Sequence, residues 1–425
     1  MERVECERLG QDVLVNFRST CWGVDRPPVL EEIGTRKPLG DRVPARIKNQ
    51  NTIPIRSPCE TQSTQEGTND HMTTDAHTGN NTTIAAVTEL AGLGLTVERM
   101  DRALRAVRRV LPPTPLLPSP ILSDLQGCPV YLKVEAVTPT RSFKVRGALA
   151  RVAELDAEGD TRPLLTASAG NHGLGVAYAG RISGRPVTVY VPEGANRAKV
   201  AALRAEGATV VAGGRDYAEA AERANQAAAS GGYAYVHPFD NPGVIAGQGT
   251  IATEILDTLG QVAAVAVPVG GGGLLGGIAA TLGLAGSRTR IYGVEAKGAD
   301  AMARSRTAHT LITLESVDTI ADGLAPRGVS ARTLALAEHW VDDILLVDDP
   351  NLLAAMHHVL VRERLLVEPA GAAAVAACLQ GLIPRTQPAG SGTHADEGPC
   401  VLIVSGGNVT EDLLHKALLT PLPGQ

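Results

Sequence analysis

A chain of 425 residues, 44% apolar and 20% charged, is long enough for two or three packed domains. Its formal net charge of −6 gives no overall attraction to nucleic acid or to an anionic membrane surface. No apolar run approaches the roughly 18 residues of a membrane span, and the charged opening MERVECERLG lacks the apolar core of a secretion signal.

Residues 1–91 are expected to form a mostly disordered extension. The stretch RKPLGDRVPARIKNQNTIPIRSPCETQSTQEGTNDHMTTDAHTGNNTT is polar and aperiodic, with too little apolar surface to offset its ordering entropy. Met72 is a plausible alternative first residue. Next, LTVERMDRALRAVRRVL carries apolar residues at helical spacing, and PPTPLLPS ends that helix. From residue 130 onward short β-rich runs recur: RPLLTAS, PVTVYVP, ATVVAGG, YAYVHPF, VAAVAVPVG, RIYGVEA, DDILLVDD and CVLIVSGG. Stretches rich in Ala, Leu, Glu and Arg separate most of them and predict helices over 196–206, 216–229, 242–259, 350–364 and 369–381. Apolar strands alternating with helices predict mostly parallel sheets covered on both faces, and eight such runs fit two α/β domains. PRTQPAGSGTHADEG, before the last strand, reads as a surface loop. The cysteines Cys6, Cys21, Cys59, Cys128, Cys378 and Cys400 form no CxxC pair, which predicts free thiols in a reducing cytoplasm.

Four stretches can carry chemistry. In TPTRSFKVRGA (138–148), Lys144 is either a solvated turn lysine or an amine at a helix start. In the second case apolar Phe143 and the cations Arg141 and Arg146 would lower its pKa, leaving a neutral amine able to form a Schiff base with an aldehyde. TASAGNHG (166–173) joins a strand to a helix; its free backbone N–H groups suit an anion such as a carboxylate, and Asn171 adds a directed donor. VPVGGGGLLGG (267–277) places four glycines between a buried strand and a helix, where backbone can wrap a phosphate. Within it Gly271, Gly273 and Gly276 also satisfy G-x-G-x-x-G, and Glu295 ends the next strand, so a dinucleotide site is a rival reading. VSGGN (404–408) closes the last strand, putting the Ser405 hydroxyl in the crevice where α/β sheets bind ligands.

Together and in this order, these stretches resemble the fold-type II pyridoxal phosphate enzymes, specifically the serine/threonine dehydratases. The likeness covers residues 95–418 and includes SFKVRGA, SAGNH, HPFDNPGVIAGQGT, VPVGGGGL, GVEA, ADGLA, VEPAGA and SGGN. It implies a tryptophan synthase beta-like fold of two three-layer α/β domains: a large cofactor-binding domain from 92–135 and 238–418, and a small one, 136–237, carrying the asparagine loop. It also implies pyridoxal 5'-phosphate as cofactor, an amino acid as substrate and a homo-oligomer, dimer or tetramer. Lys144 would hold the cofactor as a Schiff base and act as general base. Phe143 would pack near the ring, and Gly270, Gly271, Gly272, Gly273 and Leu274 would hold the phosphate. Asn171 would bond the ring hydroxyl, and Ser405 would meet the ring nitrogen. Ser168, Ala169, Gly170 and His172 would receive the substrate carboxylate.

The expected reaction is α,β-elimination from L-threonine, L-serine or a related β-hydroxy amino acid, giving a 2-oxo acid and ammonia. The alternatives are a serine racemase-like isomerase and a non-catalytic binder. Racemases of this family usually carry serine where this chain has Ala169, and alanine has no proton to exchange. Many relatives have glycine at Arg141, which leaves substrate preference open. A metal site near Glu295 is left open too, because Asp300 is present but the aligned second acid position holds Ala301. The 17 residues after SGGN are expected to leave no room for a C-terminal regulatory domain. GQGT (247–250) is expected to shape a turn at a helix start, and VEPAGA to begin a helix with Pro369 in its first turn. His357 and His358, adjacent on a helix, do not share a face and are discounted as metal ligands.

Overall fold

The computed structural model describes residues 87–385 and 398–422. The expected extension, apart from residues 87–91, and most of the expected loop at 384–398 lie outside them. Residues 87–92 are helical, and Leu90 and Leu95 are fully buried against Ile245, Ala280 and Leu336, so packed structure starts before residue 92.

The elements follow in chain order. They are α1 (Val97–Arg108), β1 (Leu116–Pro118), α2 (Pro120–Gln126), β2 (Val130–Val134), α3 (Lys144–Ala157), β3 (Leu164–Ala167), α4 (Asn171–Ser183) and β4 (Val187–Val191). Then come α5 (Arg197–Ala205), β5 (Thr209–Ala212), α6 (Tyr217–Ala229), β6 (Ala234–Tyr235), α7 (Pro242–Leu259), β7 (Ala264–Pro268), α8 (Gly273–Leu284) and β8 (Arg290–Ala296). The chain ends with α9 (Ala301–Ala308), α10 (Ala331–Trp340), β9 (Asp343–Val347), α11 (Asp349–Val361), α12 (Pro369–Leu379), β10 (Cys400–Val404) and α13 (Glu411–Leu419). Caps written into the sequence set several starts: Thr96, Ser119, Asn196, Asp216, Asn241 and Asp348 each accept a backbone N–H of the helix they precede.

Two sheets result. The larger runs β1-β2-β10-β7-β8-β9, parallel except for edge strand β1, and the smaller runs β5-β4-β3-β6, all parallel. Alternation divides each central strand between two cores. Val265 and Val267 of β7 pack with α7, α8 and α10, whereas Ala264 and Ala266 pack with α11 and α12. In the smaller sheet Leu164 faces α3 and α4, and Leu165 faces α6. Among the described residues no helix is long and apolar enough to cross a membrane.

Two local readings change. β2 escapes the pattern of apolar runs because Lys133 lies within it, yet that lysine is 1% exposed and ion-paired. GQGT lies in the middle of α7, not at a turn. Its glycines serve close helix packing: a Cβ at Gly247 would lie 2.5 Å from the Arg146 carbonyl on α3, and one at Gly249 would lie 2.6 Å from the Gly277 carbonyl on α8.

Candidate active site

Parallel strands deliver their carboxyl ends, and the following helix N-termini, to one side of a sheet. Here the ends of β3, β7 and β10 meet the start of α3 around a cavity of about 810 Å³, with Lys144, Ser168, Asn171, Gly270, Gly273, Glu368 and Ser405 among its lining. The sequence-expected residues Phe143, Ala169, Gly170, His172, Gly271, Gly272 and Leu274 line it as well.

Lys144 is the first residue of α3. Its Nζ donates to the Pro238 carbonyl at 3.0 Å and lies 5.2 Å from the Phe143 ring centroid. Removal from water lowers its pKa to about 8, against a weaker upward pull from the Glu368 carboxylate. Arg141 is not among the causes of that shift. It is exposed, stands outside the cavity lining and borders a groove formed with residues 111–115 and 137–139.

The four glycines allow close approach on every side. A Cβ at Gly270 would lie 2.8 Å from the Gly323 carbonyl, and one at Gly271 would enter the Phe239 ring. Gly272 has φ +85°, and a Cβ at Gly273 would lie 3.0 Å from Phe239 Cα. Gly272 caps α8 without any side-chain bond, which leaves the helix N-terminus open to an anion. Phe239 belongs to the HPFDNP stretch, to which the sequence assigns no function.

A second helix N-terminus lines the same cavity. Gly170 precedes α4 with no side-chain cap, and its N–H bonds Ser168 Oγ at 3.2 Å. His172 is buried, with Nε2 at 2.9 Å from the Val236 carbonyl. A carbonyl only accepts, so Nε2 carries the proton, and Nδ1 has no partner among the described residues. Burial lowers the pKa of His172 to about 3, so its ring adds no positive charge, and its backbone N–H remains available at the helix start.

The end of β10 ties these parts together. The Ser405 carbonyl accepts from Phe143 N at 3.1 Å, and Ser405 Oγ donates to the Ala370 carbonyl at 3.3 Å. Asn408 Nδ2 donates to the Thr140 carbonyl at 2.9 Å and to Asn171 Oδ1 at 2.7 Å. Asn171 Nδ2 in turn donates to Glu368 Oε1 at 2.6 Å.

Comparison with known proteins agrees with this geometry. The family described as pyridoxal-phosphate dependent enzyme matches residues 107–406. The chain belongs to the pyridoxal-phosphate dependent enzyme family. It is 38% identical over 312 residues to the L-threonine ammonia-lyase of Geobacter sulfurreducens, covering 73% of this chain and 74% of that protein. The structure of the processed form of threonine deaminase isoform 2 from Solanum lycopersicum is similar with a TM-score of 0.68 and 35% identity, over 75% of this chain and 91% of that one. The maize serine racemase structure is similar with a TM-score of 0.68 and 30% identity, over 76% and 96%.

As in any pyridoxal-phosphate dependent enzyme, the site must accept an aldehyde and a phosphate. The residues present fit that group: an amine of lowered basicity shares a cavity with a glycine turn too closely packed on its protein side for any Cβ, at an uncapped helix N-terminus. The dinucleotide reading loses its acidic residue. Glu295 is fully buried away from the cavity, and its two oxygens accept the N–H groups of Met302 and Ala303 at 2.9 Å each, which caps α9. Burial also raises its pKa to about 8. Among the described residues no group of three or more His, Cys, Asp or Glu could hold a metal ion.

Sequence reasoning missed Glu368. VEPAGA does begin a helix at Pro369, as expected, but its glutamate lines the cavity. An acid directly before a helix-starting proline reads as an ordinary cap, and only the return of β10 beside it reveals otherwise.

Proposed function

We propose that this pyridoxal-phosphate dependent enzyme is an ammonia-lyase that converts L-threonine, L-serine or a related β-hydroxy amino acid to a 2-oxo acid and ammonia. The observation that carries the reading is the half-buried Lys144 amine, its pKa lowered to about 8, in one cavity with two uncapped helix N-termini. Such termini suit two separate anions, a phosphate on the tetraglycine side and a carboxylate on the 168–172 side. Bound there, pyridoxal phosphate supplies an aldehyde for an amine to condense with and a ring that delocalises the electron pair left when a Cα proton departs.

In this reading Gly270, Gly271, Gly272, Gly273 and Leu274 hold the phosphate. Phe143 supports the ring, Asn171 donates to the ring hydroxyl, and Ser405 sets a neutral hydroxyl at the ring nitrogen. Ser168, Ala169, Gly170 and the His172 backbone orient the substrate carboxylate. Lys144 takes the Cα proton as general base, which its depressed pKa favours near neutral pH. The β-hydroxyl leaves as water, and a water returns in the hydrolysis that frees ammonia, so the net products are the 2-oxo acid and ammonia. Ala169 lines the cavity where a racemase would present a second proton donor, and its methyl group cannot exchange one.

The larger sheet, with residues 92–135 and 238–418, would form the cofactor domain, and 136–237 the smaller one. The described cysteines, Cys128, Cys378 and Cys400, are free and buried, in keeping with a reducing cytoplasm. A homo-oligomer completes the proposal. The activity test supplies holoenzyme with L-threonine and L-serine separately, following 2-oxo acid and enantiomer formation. We expect 2-oxo acid; enantiomer alone would make it an isomerase, and neither product would leave a binder.

A further inference from the structure

We propose that Glu368 is a positioning residue of this site: its carboxylate fixes the orientation of the Asn171 amide and acts as the counter-charge of the Lys144 amine. The proposal rests on the pyridoxal phosphate reading above and adds to it a role for a residue to which the sequence motifs gave none.

The orientation follows from a fixed backbone acceptor. The Thr140 carbonyl can only accept, so the end of Asn408 that meets it at 2.9 Å is the amide nitrogen. That nitrogen also reaches Asn171 at 2.7 Å, so Asn171 presents its oxygen there. The Asn171 nitrogen is therefore turned to Glu368 Oε1 at 2.6 Å, and an ionised carboxylate is an acceptor-only partner. One N–H of Asn171 is held by Glu368, and the other remains to donate to a ligand. Were Glu368 apolar, nothing would hold that end of the amide.

The carboxylate is itself held in place. Glu368 N donates to the Gly406 carbonyl at 3.1 Å, and the side chain does not cap its own helix, α12. A Cβ at residue 406 would collide with Glu368 Oε1, so the first glycine of SGGN makes room for this carboxylate. The SGGN and VEPAGA stretches, separate in sequence, thus form one device.

The charges near the pair are few. Burial raises the Glu368 pKa to about 7, against the Asn171 bond and the attraction of Lys199, while Asp322 pushes it further up and Lys144 pulls it down. Lys199 on α5 and Asp322 pair with each other at 2.6 Å. His172 on α4 and His237, with pKa values lowered to about 3 and 4 chiefly by burial, carry no charge at neutral pH. Lys144 and Glu368 line the same cavity, and among the described residues Glu368 is the charge that acts to raise the pKa of that amine.

The test is a pH titration of the visible absorbance of the bound cofactor in holoenzyme. Glu368→Gln keeps an acceptor for Asn171 and removes the charge. A cationic nitrogen at Lys144 then loses its counter-charge, so the midpoint should move to lower pH by about one unit, and kcat should fall with little change in KM. Glu368→Asp, which keeps the charge, should hold the midpoint near that of wild type. An unchanged midpoint in Glu368→Gln, or an equal drop in Glu368→Asp, contradicts the counter-charge. The orientation is tested separately by Glu368→Leu, compared with Glu368→Gln, because leucine removes the acceptor that holds the Asn171 amide nitrogen. Cofactor affinity should weaken about tenfold, the loss of roughly one hydrogen bond, and unaltered affinity contradicts the positioning role. A wild-type holoenzyme with a normal spectrum and no 2-oxo acid formation would sink the activity reading while leaving these titrations readable.

Discussion

Lys144 and Arg146 stand two residues apart on α3, the first half-buried and the second fully buried, and the protein treats them oppositely. Residues at this spacing point to different sides of a helix. On the cavity side Lys144 Nζ has one carbonyl at 3.0 Å, and its pKa falls to about 8. On the other side Arg146 is 0% exposed and forks onto two carboxylates. It bonds Glu135 at 2.7 and 3.0 Å and Glu254 at 2.6 and 2.9 Å, with Thr250 and Thr114 completing the set. Burial opposes its charge, but the two glutamates more than offset that, so its pKa rises. Lys133 adds a further link to Glu254 at 2.6 Å. Burial alone therefore does not decide whether a cation is reactive. The number of acceptors supplied with it does: the poorly supplied amine is left free for chemistry, and the well supplied guanidinium anchors the helix that carries it.

The comparison breaks first at its reactive end. Lys144→Ala should lower 2-oxo acid formation by about 10³-fold or more, the scale of a lost general base, and abolish the visible cofactor band. Removing a poorly paired, half-buried amine should leave the melting temperature of the cofactor-free protein unchanged or slightly raised. Arg146→Met tests the other face. It strands Glu135 as a buried, uncompensated charge and leaves Glu254 with Lys133 alone, and should destabilise the protein by about 3–5 kcal/mol in denaturant unfolding. An Arg146→Met protein as stable as wild type would mean the cluster is no anchor.

Much of this contrast is legible in the sequence on one side only. SAGNH and the tetraglycine each follow a strand and open a helix, SFKVRGA opens a helix and SGGN follows a strand, and these ends meet in one cavity. Arg146 lies in the same motif as Lys144, yet nothing local reveals its partners, because Glu135 and Glu254 are 11 and 108 residues away. Glu368 hides similarly, since Asn171 is 197 residues distant. Short-range chemistry is readable from the chain; long-range polar pairing becomes visible only once helices pack.

Smaller changes sharpen the picture. Gly271→Ala drives a methyl group into the Phe239 ring. Overpacking on this scale costs about 1–3 kcal/mol, so cofactor affinity measured by equilibrium titration should weaken about ten- to hundredfold, leaving the Arg146 side untouched. Arg141 adopts φ +58°, a left-handed conformation that strains an L-residue with a Cβ. Arg141→Gly should relieve that strain and stabilise the protein by up to about 1 kcal/mol. Because Arg141 stands outside the cavity lining, activity on L-threonine should stay near wild type.

The most direct test of Lys144 as the reactive amine is chemical. Borohydride reduction of the holoenzyme, followed by peptide mass spectrometry, fixes the cofactor to whichever lysine holds it. The reduced phosphopyridoxyl group should be found on Lys144; its recovery on Lys133, Lys199 or any other lysine would contradict the account.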